Sequence, residues 1–230
     1  MKDKNSPQLI LDTWPFQGSF PQAKIYHNAL SPDLFQLFKT WSLHIHPTPE
    51  NRTVWCPLSR KPRYLPEQVI HSLYRLIRKS GLPKYQGAEW WTGYRKPHES
   101  LHYHVDRDES LFKEQKITVP PLLSTVFYIT ASGGPTFIPN DFIHRATGKI
   151  SRAPVTSSLK VFPKPNKFLI FNGNLFHSVL PGKTADEQLR ITLIVNFWNQ
   201  RPHKPVCIDP DPSFIIDSLK ENNYGECLSK

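Results

Sequence analysis

From about Tyr85 to Trp198 the chain is a succession of short β-prone runs separated by turn residues, and no other feature limits its fold as much. The runs are Trp90–Tyr94, Ser100–Val105, Leu123–Thr130, Thr136–Pro139, Ser158–Phe162, Lys167–Phe171 and Leu189–Trp198. Segments this short bury their apolar sides by stacking as two sheets, so the pattern predicts a β-sandwich or jelly roll. Gly133-Gly134 and Asn172-Gly173 provide the backbone freedom where strands reverse. The 23 prolines among 230 residues fit a loop-rich chain and argue against a mostly helical one.

Upstream the period changes from two to that of a helix. Residues 31–43 read as a helix, with Ser31 as N-cap, Pro32 in the first turn, and Leu34, Phe35, Leu37, Phe38 and Trp41 forming one apolar stripe. A second helix is predicted from Pro66 to Ser80, carried by Val69, Ile70, Leu73, Leu76 and Ile77 and ended by Gly81. Residues 47–65 read as a basic, Pro-rich loop. A short helix near Pro212–Lys220 is expected in a Pro-rich tail. The organisation predicted is a helical decoration over 1–87, a β core over 88–200 and a tail over 201–230, in one structural domain. The fold class is mainly β with flanking helices (α+β).

No apolar run approaches the roughly 18 residues of a membrane span, and Met1–Pro7 is polar, so no membrane partner and an intracellular location, cytoplasmic or nuclear, are expected. Cys56, Cys207 and Cys227 are too few and too widely spaced for a disulfide framework or a zinc ribbon. The formal charge of +10 is unevenly distributed: between Asp141 and Asp186 there is no carboxylate, while Arg145, Lys149, Arg152, Lys160, Lys164, Lys167 and Lys183 fall there. Scattered lysines in a loop are ordinarily solvated, so a nucleic-acid partner is not expected, although a rim that attracts an anionic substrate is the competing reading.

In a strand, residues i and i+2 share a face, so His104 and Asp106 project together. Two imidazoles and a carboxylate on one octahedral face suit Fe(II) and leave three positions open. His177, which follows an apolar run and a turn, is the candidate third ligand. The same periodicity keeps open a register in which His102 replaces a ligand, with Asp108 read as solvated beyond the strand end. Arg190 begins a core strand, where a buried guanidinium needs an anion. Thr192 shares its face. Trp90 and Trp91 read as packing residues, with a place at a substrate entrance as the alternative.

The order His104-x-Asp106, a distant His177, then Arg190 on the following strand resembles the Fe(II)/2-oxoglutarate-dependent dioxygenase superfamily, over roughly residues 88–198. Similarity is greatest to its prolyl-hydroxylase-like branch. That branch has a Tyr ten residues before the first metal His, matched by Tyr94, and a Tyr on the next strand, matched by Tyr128 in Phe127-Tyr128-Ile129-Thr130. Gly133-Gly134-Pro135-Thr136 and Phe168-Leu169-Ile170-Phe171 resemble further family segments. The resemblance implies a double-stranded β-helix of cupin-like jelly-roll form, with Fe(II) held by His104, Asp106 and His177. It also implies 2-oxoglutarate bound by Arg190, Tyr128, Tyr94 and Thr192, O2 as oxidant and ascorbate as an assisting reductant. The implied activity is hydroxylation or oxidative demethylation of a protein side chain or small molecule, releasing succinate and CO2.

The chain also departs from the branch. The 13 positions from His177 to Arg190 exceed the prolyl-hydroxylase spacing, and Ile138–Leu159 reads as an insertion. Position 196 is Asn, where DNA-repair demethylases carry a second Arg, and Asp106 stands where halogenases have a small residue. Two other readings remain at this level: a non-catalytic jelly-roll sensor or basic binding module, and a zinc or manganese cupin, which would leave Arg190 without a ligand.

Overall fold

Alternation along the β-prone runs sorts their side chains between two faces, and the architecture follows from what covers each face. The computed structural model describes residues 23–44, 53–139, 141–145, 147–152, 158–183 and 188–203. Its strands are β1 (Ala23–His27), β2 (Val54–Pro57), β3 (Gly87–Arg95), β4 (Leu101–His104), β5 (Leu123–Tyr128), β6 (Thr136–Ile138), β7 (Asp141–Ile143), β8 (Ile150–Arg152), β9 (Leu159–Val161), β10 (Lys167–Asn172), β11 (His177–Val179) and β12 (Arg190–Trp198). The helices are α1 (Pro32–His44), α2 (Leu65–Lys79) and α3 (Glu109–Gln115).

Six strands form one antiparallel sheet in the order β1-β10-β5-β12-β3-β2, and four form another in the order β4-β11-β6-β9. From β3 onward the chain passes repeatedly between the two sheets, the path of a double-stranded β-helix. Val126, Tyr128, Leu169 and Phe171 of the large sheet pack with Ile138 and Val161 of the small one. On the other face of the large sheet, Phe127, Phe168, Ile170, Ile191, Leu193, Val195 and Phe197 share a core with α1 and α2 through Phe38, Trp41, Val69, Ile70, Leu73 and Ile77.

α1 and α2 form where their stripes predict, while α3 was not predicted. α2 has Pro66 in its first turn and Gly81 at φ +81° just past its end; Val69, Ile70, Leu73 and Ile77 of its stripe are fully buried and Leu76 half-buried. Glu67 is buried as well. Its carboxylate accepts from Arg60 Nη1 at 3.0 Å and from the Arg63 backbone N–H at 2.7 Å, which folds the preceding segment onto the helix start.

Several expectations are corrected. The loop predicted over 47–65 contains β2, a four-residue run whose Pro57 is tolerated because β2 lies at a sheet edge. The region read as a helical decoration therefore also supplies β1 and β2, the two edge strands of the large sheet. Asp108 is not solvated. It is buried at the start of α3, where its side chain accepts from the Leu111 N–H at 3.0 Å as an N-cap. The insertion at 138–159 contains the β7–β8 hairpin. Two cations of the basic stretch are engaged within the fold: Arg145 donates to the Pro120 carbonyl and the Asn172 side chain, and Arg152 pairs with Asp141 at 2.6 Å. The expected helix near Pro212–Lys220 lies outside the described residues. Among the described residues no helix is long and apolar enough to cross a membrane.

Leu73→Ala is expected to cost about 2–5 kcal/mol of unfolding free energy, the range for truncating a buried leucine. Urea unfolding measures this. Because Leu73 lies on the helix side of the large sheet, the folded variant should bind metal as the parent does.

Candidate metal centre

The pairing of β4 with β11 brings the first two candidate ligands together. His104 lies directly opposite His177, so the two rings project to one side, with centroids 4.3 Å apart. Asp106, two residues past His104, completes the group, and one potential ligand atom from each residue falls within 4.8 Å of the others. Nε2 of His104 is 3.6 Å from Asp106 Oδ1, and Nε2 of His177 is 3.6 Å from Oδ2.

Backbone and neighbouring groups hold these side chains ready. Nδ1 of His104 is 2.7 Å from the His102 carbonyl, and Nδ1 of His177 is 3.2 Å from the Leu175 carbonyl. A carbonyl only accepts, so both rings carry the proton on Nδ1 and present a free Nε2, the tautomer a metal requires. The Phe171 ring packs edge-on against His177 at 5.0 Å, and Ser124 Oγ donates to Asp106 Oδ2 at 3.1 Å. Burial works against the Asp106 charge, but His177, His104 and Ser124 outweigh it and hold the carboxyl at about 2, so it is ionised at neutral pH. Burial lowers the pKa of His177, which favours the neutral imidazole. His104 titrates higher than an ordinary histidine, because Asp106 overcomes its burial. The alternative register is not adopted: His102 is exposed and contributes its carbonyl.

The trio opens into a cavity of about 70 Å³ whose wall includes Trp91, Gly93, Arg95, Thr136, Arg190 and Thr192. This is several times the roughly 10–15 Å³ needed by one water. Arg190 is only 4% exposed. Its Nε donates to the Gly134 carbonyl at 3.3 Å and its Nη2 to Thr136 Oγ1 at 3.1 Å, yet no carboxylate among the described residues pairs with it. Burial and the nearby Arg95 press against its charge, and the face of Tyr128 at 5.5 Å supports it.

The glycine pair shapes this end. Gly133 has φ +86°, and a Cβ there would lie 2.7 Å from Arg190 Cδ; one on Gly134 would strike the Leu180 carbonyl oxygen at 1.7 Å.

The remaining candidates separate. Thr192 lines the cavity beside Arg190. Tyr128 is fully buried behind it, its hydroxyl donating to Thr136 Oγ1 at 2.7 Å, so it steadies Thr136 rather than facing the cavity. Tyr94 is corrected. It pairs with Ile191 in the helix-side core and donates its hydroxyl to the Ser42 carbonyl at 2.7 Å, because the pleat gives the cavity face to its neighbours Gly93 and Arg95. Trp91, read as packing, lines the cavity, while Trp90 is buried in the core. Thr136, Ser124 and Arg95 were not predicted. Period two from Tyr128 reaches Ser124, and period two from Trp91 reaches Arg95.

No family model matches the chain, and no curated protein matches it in sequence. Among solved structures it is similar to a prolyl-4-hydroxylase from Pseudomonas putida, at 18% identity and TM-score 0.51, over 78% of this chain and 94% of that one. A prolyl hydroxylase from Trichoplax adhaerens, solved with a hypoxia inducible factor peptide fragment, gives 14%, 0.48, 77% and 84%. HygX from Streptomyces hygroscopicus, solved with nickel and 2-oxoglutarate, gives 11%, 0.48, 83% and 92%. The first likeness establishes a shared fold.

Below its raised pKa His104 carries a second proton, on Nε2, that a divalent metal must displace while Asp106 is already ionised, so affinity should fall about tenfold per pH unit below that value and level off above it. Calorimetric Mn(II) titrations across pH 5.5–8.5 (about the histidine range) read this directly, and a flat profile contradicts it. Gly133→Ala is expected to lose more than about 1 kcal/mol in urea unfolding. Gly148→Ala, also at positive φ but with open space around it, should lose less.

Proposed function

We propose that this chain is a mononuclear non-haem oxygenase that binds Fe(II) and consumes 2-oxoglutarate and O2, of the prolyl-hydroxylase-like branch, and that it hydroxylates or oxidatively demethylates a protein side chain or small molecule. One observation carries the reading: a His-Asp-His group shares a small cavity with a buried guanidinium for which no acidic partner stands among the described residues. A metal alone would explain the first half of that arrangement. A dicarboxylate that reaches from the metal to Arg190 explains both. The fold shared with a bacterial prolyl-4-hydroxylase supports the reading.

His104 and His177 offer Nε2 and Asp106 offers a carboxylate oxygen, a donor set that suits Fe(II) and leaves positions for other ligands. When bound, iron with 2-oxoglutarate and O2 would supply the oxidising power for C–H hydroxylation, one oxygen atom entering the product and the other the succinate released with CO2. Arg190, held by the Gly134 carbonyl and Thr136, presents its remaining N–H groups to the distal carboxylate, and the Thr192 hydroxyl stands on the same face. Tyr128 keeps Thr136 in place. Ser124 and the two backbone carbonyls fix the ligands, so binding loses little to reorganisation.

Purified protein supplied with Fe(II), ascorbate and 2-oxoglutarate should form succinate slowly without a primary substrate. His104→Ala and Asp106→Ala should abolish this, and Arg190→Gln should raise the 2-oxoglutarate requirement about 100-fold, the scale of removing one partner from a buried charge pair. Wild-type protein that consumes no 2-oxoglutarate under any of these conditions disproves the reading.

A further inference from the structure

β3 and β12 place Arg95 directly opposite Arg190, and residues opposite one another in antiparallel strands project to the same face. Both line the cavity that holds the His-Asp-His group. Like charges across a strand pair repel, and among the described residues neither arginine has a carboxylate within ion-pair distance. Arg95 lies near enough for its charge to bear on both Arg190 and His104, with which it shares the cavity wall. Unlike Arg190, it is only half-buried, at the end of β3, followed by the exposed Lys96.

On the function proposed above, 2-oxoglutarate brings two carboxylates, one for the metal and one for Arg190. Arg95 is then left facing the same space with its charge uncompensated. Trp91, four residues back on the same strand face, adds an apolar wall to the same cavity.

We propose that Arg95 binds a carboxylate of the primary substrate, so that this enzyme acts on a carboxylate-bearing compound held in the same cavity as the His-Asp-His group. The inference rests on the oxygenase reading in assigning Arg190 to the co-substrate. The planar fork of arginine matches a carboxylate with two parallel hydrogen bonds, which a lysine in its place does not reproduce. Arg95 thereby selects for charge, while Trp91 accommodates the carbon skeleton.

The test uses the full chain loaded with Mn(II), as wild type, R95Q, R95K and R190Q, and isothermal titration calorimetry. 2-Oxoglutarate is titrated first; propionate and its neutral analogue propionamide are then titrated into 2-oxoglutarate-saturated protein. R95Q should keep 2-oxoglutarate affinity within about threefold of wild type, whereas R190Q loses about 100-fold. Propionate should bind wild type, bind R95Q at least about tenfold more weakly, and bind R95K with intermediate affinity, while propionamide gives no heat. If R95Q weakens 2-oxoglutarate as much as R190Q does, Arg95 belongs to the co-substrate and the proposal is overturned. Equal propionate affinity in wild type and R95Q overturns it too. Wild type that rejects 2-oxoglutarate but binds propionate through Arg95 removes the oxygenase reading and leaves the carboxylate site standing; wild type that binds neither removes both.

Discussion

The pleat divides most of the side chains on β12 between two environments. Ile191, Leu193, Val195 and Phe197 enter the core beneath α1 and α2, while Arg190, Thr192 and Ile194 line the cavity. The apolar set fixes the register, since a slip of one residue would drive a guanidinium into hydrocarbon and expose four large apolar groups. Registers on either side follow from it: Arg95 and Gly93 come into the cavity wall through β3, and Tyr128 lies behind Thr136 through β5. The helix-side core thus determines which polar groups meet, although none of its buried members lines the cavity.

The polar groups so gathered are unbalanced. Asp106 is the one carboxylate in the cavity wall described, against Arg95, Arg190 and two histidines. A dication between the histidines would make the excess larger. A small space lined this way focuses positive potential and favours anionic occupants over neutral ones of the same shape. The overall charge of +10 says little about this, since the lysines and arginines of the 145–167 stretch are outside that wall and two of its arginines are engaged by the protein itself.

Much of this was legible in the sequence because it depends on local periodicity. The helix stripes gave α1 and α2 nearly to the residue, and the seven β-prone runs all became strands. His104, Asp106, His177 and Arg190 could be singled out because their residue types are hard to bury without a ligand. Other features depend on pairing partners that sequence does not name. Whether Tyr94 or Arg95 faces the cavity is decided by which residue stands opposite Arg190, and spacing by analogy selected the wrong neighbour. β1 and β2 are too short and too mixed to announce themselves; they are strands because sheet edges lie beside them. The capping role of Asp108 was readable in principle, since an aspartate before Glu-Ser-Leu-Phe is an ordinary helix start, but the nearby metal motif drew the residue into a different interpretation.

The orientation of the two histidine rings carries an evolutionary consequence. Each is anchored by a main-chain oxygen, one from residue 102 and one from residue 175, and every amino acid provides that atom. Sequence drift at those two positions can therefore leave the imidazoles aligned. The carboxylate differs, because its support comes from the hydroxyl of Ser124, which a single codon change removes. Selection for a softer or harder grip on the ion has an accessible route through that serine, independent of the residues that bind the ion.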